Sequence, residues 1–150
     1  MNDSFRNQNH ITSDSRAKPF TQALFMKFFD QQGNSKGYLM ALTMFTSKEW
    51  WFFSSGSIDV KIDDTIYTIP VVETTSKYVE ESRPLSLRTA ITINPDIVID
   101  HIKHAKTVIF RVGFENQPYF DWTVPQKVLS EWQTVINLDK DGKPIKSAEK

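Results

Sequence analysis

Two histidines on one predicted helix come nearest to the spacing of a metal site. His101 and His104 are three positions apart, so they share a helical face, and Asp100 precedes them. A zinc site needs three or four protein ligands, and no further ligand stands at a recognisable spacing. The third histidine, His10, lies in the N-terminal segment. We therefore predict no metal site, and two solvated histidines near a helix end.

Serine and carboxylate clusters could supply a nucleophile, a cation site or an acid–base pair. The run Ser54-Ser55-Gly56-Ser57 has no histidine placed to activate a serine, and the chain has no cysteine. The acids between residues 59 and 64 are typical of a solvated hairpin. The pair Glu80-Glu81 lies in a segment without periodicity. The sequence predicts no catalytic residue and no cofactor.

Basic and aromatic side chains on predicted strands raise the question of nucleic-acid binding. Arg88 and Arg111 lie on the polar faces of two strands, and Tyr119 follows near Arg111 across a predicted hairpin. The formal net charge is zero, and these residues are not part of a larger cluster of basic residues. The pattern favours solvent-facing arginines paired with acids over an RNA or DNA interface.

An excess of apolar side chains near the N-terminal strands is the most unusual feature. The run at residues 50–53 places aromatic rings on both faces of a predicted strand, which a small sheet can bury only beneath further layers. The alternative is that a second layer of the same chain covers these rings. Trp and Phe are enriched at interface cores. The candidate interface or ligand surface consists of Trp50, Trp51, Phe52, Phe53, Arg88, Arg111 and Tyr119.

Strict alternation of apolar and polar residues identifies most of the predicted strands. Residues 58–62 and 66–69 read as a hairpin, because Asp63-Asp64 suits a tight turn. Further strands are predicted at 85–93, at 108–114 and at 120–124. Residues 20–29, 38–46 and 50–53 also read as strands, although residues 20–29 fit helical spacing as well. Residues 71–84 show no period and are predicted to form a long surface loop.

Two helices complete the prediction. Asn94-Pro95-Asp96 is typical of a helix start, and it predicts a helix to about residue 106. An apolar stripe that includes Leu129 and Trp132 predicts a second helix at 125–138. The predicted fold is α+β, with an antiparallel, strongly bent or barrel-like sheet of about seven strands closed by these helices.

The 150 residues are predicted to form one domain with a disordered segment at each end. Residues 1–18 and 139–150 are too polar to offset their ordering entropy, which leaves residues 19–138 for the domain. No apolar run approaches the roughly 20 residues that cross a bilayer, and no signal peptide is recognisable. These observations predict a cytoplasmic protein without a membrane span.

For function, the sequence favours a non-enzymatic protein–protein interaction module that self-associates, or docks a protein partner, through aromatic N-terminal strands. A small-ligand binding domain with a pocket between sheet and helix is the first alternative. An enzyme with an unrecognised site is the second. Without a motif that names a partner, the apolar excess is the observation on which the leading hypothesis depends.

Overall fold

The computed structural model describes residues 10–81 and 83–145, which contain eight strands and two α-helices. The strands are β1 (His10–Ala17), β2 (Phe20–Phe29), β3 (Ser35–Thr46), β4 (Ser57–Ile62), β5 (Thr65–Val79), β6 (Ser86–Ile93), β7 (Val108–Val112) and β8 (Phe120–Thr123). The helices are α1 (Ile99–Lys103), which follows a 3-10 turn at Asp96–Val98, and α2 (Gln126–Ile136).

All eight strands form one antiparallel sheet in the order β1-β2-β3-β6-β5-β4-β7-β8. The sheet curls into a half-barrel, whose concave side we call the inner face and whose convex side we call the outer face. The predicted α+β class and the strongly bent antiparallel sheet are confirmed, with eight strands in place of about seven.

Both segments that were predicted to be disordered contain residues that form a strand or a β-bridge. Residues 10–17 form β1, which pairs with β2, although only Ile11 among them is a large apolar residue. An edge strand can form from such a polar sequence because its main chain bonds to one neighbour and its side chains remain half exposed. Near the other end, Leu138 bridges to Pro144. Residues 1–9 and 146–150 lie outside the described residues.

The structure resolves the ambiguity at residues 20–29 in favour of a strand. Buried and half-buried residues alternate along β2 from Ala23 to Phe29, and β2 pairs with β3 over almost its whole length. The predicted hairpin of β4 and β5 is confirmed, with Asp63 in the turn at φ 54°. Its carboxylate Oδ1 accepts hydrogen bonds from the backbone of Lys106 and Thr107, which ties the turn to the start of β7.

The long surface loop predicted at residues 71–84 is wrong. β5 continues to Val79 and pairs with β6 along that length, past a bulge between Val71 and Glu73. Residues 73–77 of β5 are polar on both faces, so they carry no alternation that would have marked a strand. Hydrogen bonding to β6 is sufficient to order it.

The helices are shorter than predicted. Asp96 N–H donates to Asn94 Oδ1, as expected for a helix start, but the region 94–106 contains only the 3-10 turn and the short α1. α2 is confirmed at 126–136, and its apolar stripe is buried. The ring of Trp132 stacks on Phe25 of β2 at 5.2 Å, which fixes α2 on the inner face and builds the core there.

Candidate functional site

The predicted strand at residues 50–53 is not a separate strand. Phe53 forms an isolated bridge with Phe114, and the N–H of Glu115 donates to the carbonyl of Phe52. The segment therefore continues the line of β4 beside the end of β7. Phe53 is buried and its ring stacks on Phe114 at 5.1 Å, so it belongs to the core and offers no surface.

The two tryptophans before it are half-buried on the inner side of the sheet. Trp51 packs edge-on against Phe114 at 4.8 Å, and Trp50 packs edge-on against Tyr78 at 5.5 Å. The side-chain amide of Asn116 donates to the carbonyl of Trp50, which holds the segment in place. These contacts make the segment a partial cover for one end of the inner face.

A contiguous set of partly exposed apolar side chains lies on the opposite side, on the outer face of β2 and β3. Leu24, Met26 and Phe28 alternate with core residues along β2 and are only half-buried. The pairing of β2 with β3 places Leu39 beside Met26 and Ala41 beside Leu24. We call the following set the outer apolar face: Leu24, Met26, Phe28, Leu39, Ala41 and Phe45.

In the described part of the chain, neither helix lies over the outer apolar face. α2 contacts β1 and β2 through the inner face, where Trp132 meets Phe25, and α1 packs against α2. None of the side chains of the outer apolar face belongs to the core cluster or packs against it. Phe45, at its end, is 45% exposed. Neighbouring side chains on the same face are what shields Leu24, Met26 and Phe28.

Charged side chains of both signs border the outer apolar face. Asp14 and Arg16 lie on β1, and Asp14 accepts a hydrogen bond from Gln22 at 3.3 Å. On the other side, Arg88 of β6 stands between Phe45 of β3 and a lysine of β5 in the strand register. The face is therefore apolar in its centre and charged at its margin, the arrangement that interfaces share.

The other half of the outer face is polar. Cross-strand register places Asp59 of β4 beside Arg111 of β7, which in turn stands beside Asp121 of β8. Arg111 donates to both carboxylate oxygens of Asp121, at 2.8 and 2.9 Å. Its guanidinium also lies 4.4 Å from the ring centre of Tyr119. We call this region, on β4, β7, β8 and the first half of β5, the outer charged face.

A groove of about 260 Å³ runs across the outer charged face. Ile66 and Ile109 form its apolar part, and Lys61 is a second cation in addition to Arg111. The hydrogen bonds from Arg111 raise the pKa of its guanidinium and lower the pKa of the Asp121 carboxyl. Both groups therefore stay ionised and paired, in a groove whose charges balance.

The predicted surface residues are thus divided among three places. Arg111 and Tyr119 meet on the outer charged face, and Arg88 lies at the margin of the outer apolar face. Trp50, Trp51 and Phe53 lie on the inner side, away from both arginines, and Phe52 between them is half-buried. Leu24, Met26 and Phe28 were not among the predicted candidates, although the apolar character of both faces of β2 was the signal that could have found them.

A buried lysine is the other feature that the sequence did not indicate. Lys27 is 2% exposed on the inner face of β2, and its Nζ donates to the carbonyls of Ile136 and Leu138 at 2.7 and 2.9 Å. It thereby satisfies carbonyls at the C-terminus of α2, where a cation also complements the helix dipole. Burial, and to a smaller extent the charge of Lys103, lowers the pKa of Lys27.

Among residues 10–81 and 83–145, no group of three or more His, Asp or Glu side chains is placed to hold a metal ion. The imidazole of His101 instead stacks on Tyr67 at 4.7 Å. In the same part of the chain, no helix has the length and apolar character that crossing a membrane requires. Comparison of the chain with family models, curated proteins and solved structures gave no match.

Proposed function

We propose that this chain is a non-enzymatic protein–protein interaction module, and that a second copy of the chain covers its outer apolar face. The observation that supports the proposal is the row Leu24, Met26 and Phe28, which points away from the core and has no layer above it in the described residues. Exposed contiguous apolar surface is typical of interaction sites. A cytoplasmic location forms part of the same proposal.

The outer apolar face and its polar margin on the neighbouring strands together have a size that suits a dimer. Five strands about 4.8 Å apart and some eight residues long, at about 3.3 Å per residue, give a face of roughly 600 Å² in projection. A standard interface removes about 800 Å² of accessible surface from each partner. Since accessible surface exceeds projected area, the face of β1-β2-β3-β6-β5 is of the right order.

The charges favour a second copy over a strongly charged partner. The margin of the face carries acids, such as Asp14 and Glu73, as well as bases, such as Arg16 and Arg88. A margin of mixed sign can be complementary to itself, and a formal net charge of zero produces no long-range repulsion between copies. Because the outer face is convex, two such sheets would meet along their central strands, about 10 Å apart there, as in a β-sandwich.

A pair of matched substitutions tests the proposal. Met26→Glu places a carboxylate in the centre of the outer apolar face, and Ile66→Glu places one at an apolar outward position of β5 on the outer charged face. In sedimentation equilibrium we expect wild type and Ile66→Glu to approach twice the 17.4 kDa of one chain as concentration rises. Met26→Glu should weaken the dimer by at least about 100-fold, because the carboxylate would lose its hydration.

Two results would contradict this proposal. One is a wild-type protein that stays at 17.4 kDa up to about 1 mM, the concentration at which even a −4.1 kcal/mol association shows. The other is an equal loss of the dimer in both variants. Circular dichroism and urea unfolding of Met26→Glu establish that the monomer is folded, so that a loss of mass reports on association alone.

The sequence predicted a ligand pocket between sheet and helix, whereas the observation that supports a small-ligand function is a groove of about 260 Å³ on the outer charged face, whose lining residues all lie on strands. Its paired charges and its isoleucines would suit a small amphipathic zwitterion held beside Arg111. A thermal-shift screen of such compounds tests this, because a ligand at 100 times its Kd adds about 2.7 kcal/mol to stability. Arg111→Met should abolish the shift, and a screen without any stabilising compound would remove the alternative.

A further inference from the structure

β1 forms one end of the sheet and has an open edge. It pairs with β2 on one side, and in residues 10–81 and 83–145 no strand pairs with its other side. From Ile11 to Ser15, the described structure contains no backbone hydrogen bond on that side. An unpaired edge of this length presents alternating donors and acceptors to any further extended chain.

A groove of about 350 Å³ follows the same edge between β1 and α2. Ser13 and Asp14 line it from the strand, and Glu131, Thr134 and Val135 line it from the helix. A strand added to β1 would therefore contact α2 with its inward side chains while its main chain bonds to the edge. The outward side chains would extend the outer face beyond Asp14.

The charge of this groove is negative. Its lining includes two acids and no base, and Glu131 is half-buried there. The hydroxyls of Ser13 and Ser15 donate to Oε1 of Glu131 and fix the carboxylate toward the strand edge. Neutral hydroxyl donors do not neutralise the charge of a half-buried carboxylate. An arginine or lysine side chain of a partner would pair with that charge.

We propose that the edge of β1 is a docking site for an extended segment of a partner protein, which adds as a further strand and places a basic side chain against Glu131. Small polar or β-branched neighbours suit the hydroxyl-lined wall that Ser13 and Thr134 provide. The site uses the edge of the sheet rather than the outer apolar face, so it does not depend on the proposed dimer.

The experiment uses a labelled peptide of alternating Thr and Val residues with one central Arg, and a matched peptide with Glu in its place. Fluorescence anisotropy is measured with the full chain carrying Met26→Glu, so that self-association does not contribute. We expect the Arg peptide to bind at least tenfold more tightly than the Glu peptide. Glu131→Gln should remove most of that preference, whereas Glu115→Gln, at an exposed acid of the β7–β8 loop, should leave it unchanged.

A second measurement distinguishes strand addition from a loose charge attraction. N-methyl groups on the peptide amides that face β1 should abolish binding, and methyl groups on the alternate amides should not. Equal binding of the Arg and Glu peptides, equal effects of the two methylation sets, or no binding at about 1 mM would each overturn the proposal. A wild-type dimer that Glu131→Gln disrupts would also overturn it, because a second copy would then occupy the edge.

Discussion

The outer apolar face and the outer charged face belong to the same sheet, yet their outward-facing positions carry opposite kinds of residue. On β4, outward residues such as Asp59 and Lys61 are charged and exposed. On β2, outward residues such as Leu24 and Met26 are apolar and half-buried. Water solvates the charged residues well. Covering the apolar residues would instead lower the free energy, because it would remove apolar surface from water.

The inner face is common to both halves, so the difference does not arise from the core. Trp132 stacks on Phe25 beneath the outer apolar face and lies 6.2 Å from the rings of Phe110 and Trp122 beneath the outer charged face. α2 thus packs on β1 and β2, and through Trp132 it also reaches the core beneath the outer charged face. The inner face therefore accounts for stability, and the half whose convex side is apolar is the one that we propose to associate.

The largest effect should follow from Trp132→Ala, which removes the side chain that both halves share. We expect a loss of about 3–5 kcal/mol in the free energy of unfolding, in a single urea transition. Trp132→Phe is the matched control and should cost less than about 1.5 kcal/mol. It keeps a ring, and it removes an indole N–H that has no hydrogen-bond partner in the described structure. A loss below about 1 kcal/mol for Trp132→Ala would show that α2 is peripheral.

A smaller effect, confined to the apolar half, should follow from Lys27→Met. The variant keeps the aliphatic stem but leaves the carbonyls of Ile136 and Leu138 without their donor. We expect a loss of about 1–3 kcal/mol in urea unfolding at neutral pH. Amide exchange should quicken at the C-terminal turn of α2 and stay unchanged in β7 and β8. Uniform quickening across both halves would contradict the local role.

The pH dependence of the unfolding free energy, compared between wild type and Lys27→Met, tests the burial of Lys27. Burial lowers the pKa of Lys27, so below pH 10.5 there is a window in which the unfolded chain holds a proton that the folded chain has released. Stability from this residue therefore rises with pH across that window. We expect the unfolding free energy of wild type, minus that of Lys27→Met, to increase between neutral pH and about pH 10. A constant or falling difference would contradict the burial of a charged amine.

Tyr38 acts in the opposite sense, so the comparison ends at about pH 10. Burial raises the pKa of Tyr38, so the folded chain keeps a proton that the unfolded chain loses above pH 10. Its contribution is present below pH 10 and is lost as the pH rises further. The Nζ of Lys27 lies 5.8 Å from the ring centre of Tyr38, so Lys27→Met also alters the surroundings of Tyr38, and only the difference below pH 10 reports Lys27.

The smallest effect should follow from replacing His101 and His104 together by alanine. They lie at α1, which connects β6 of one half to β7 of the other, and the stack of His101 on Tyr67 is their main contact. We expect less than about 1 kcal/mol of lost stability. Zinc added to wild type should leave its melting temperature unchanged. Stabilisation by zinc in wild type and its absence in the double variant would overturn this expectation.

The elements that the sequence predicted well are those whose own side chains carry the signal. The β4–β5 hairpin alternates strictly and has an Asp63-Asp64 turn, and α2 carries an apolar stripe around Trp132. β1 and the end of β5 were missed because their order comes from hydrogen bonds to β2 and β6, which polar side chains do not reveal. In both cases the strand forms because of its hydrogen bonds to the neighbouring strand, and its own sequence does not reveal them.

The candidate site was predictable as an excess of apolar residues, and its position was not. The predicted excess covered the N-terminal strands, and its candidate residues were the four consecutive aromatics at 50–53, yet Phe53 is enclosed by the core and both tryptophans lie on the inner side. Which face of β2 the helices cover depends on long-range packing, such as the stack of Trp132 on Phe25. Local periodicity does not contain that choice.

Oxidation of Met26 most directly tests whether a second copy covers the outer apolar face. Peroxide oxidises methionine in proportion to its exposure, and Met40, which is fully buried in the same sheet, serves as the internal reference. With oxidation read by mass spectrometry, the rate at Met26 should fall as protein concentration rises, while Met40 stays slow throughout. A rate at Met26 that is the same at every concentration, in a chain that remains at 17.4 kDa, would contradict the proposal.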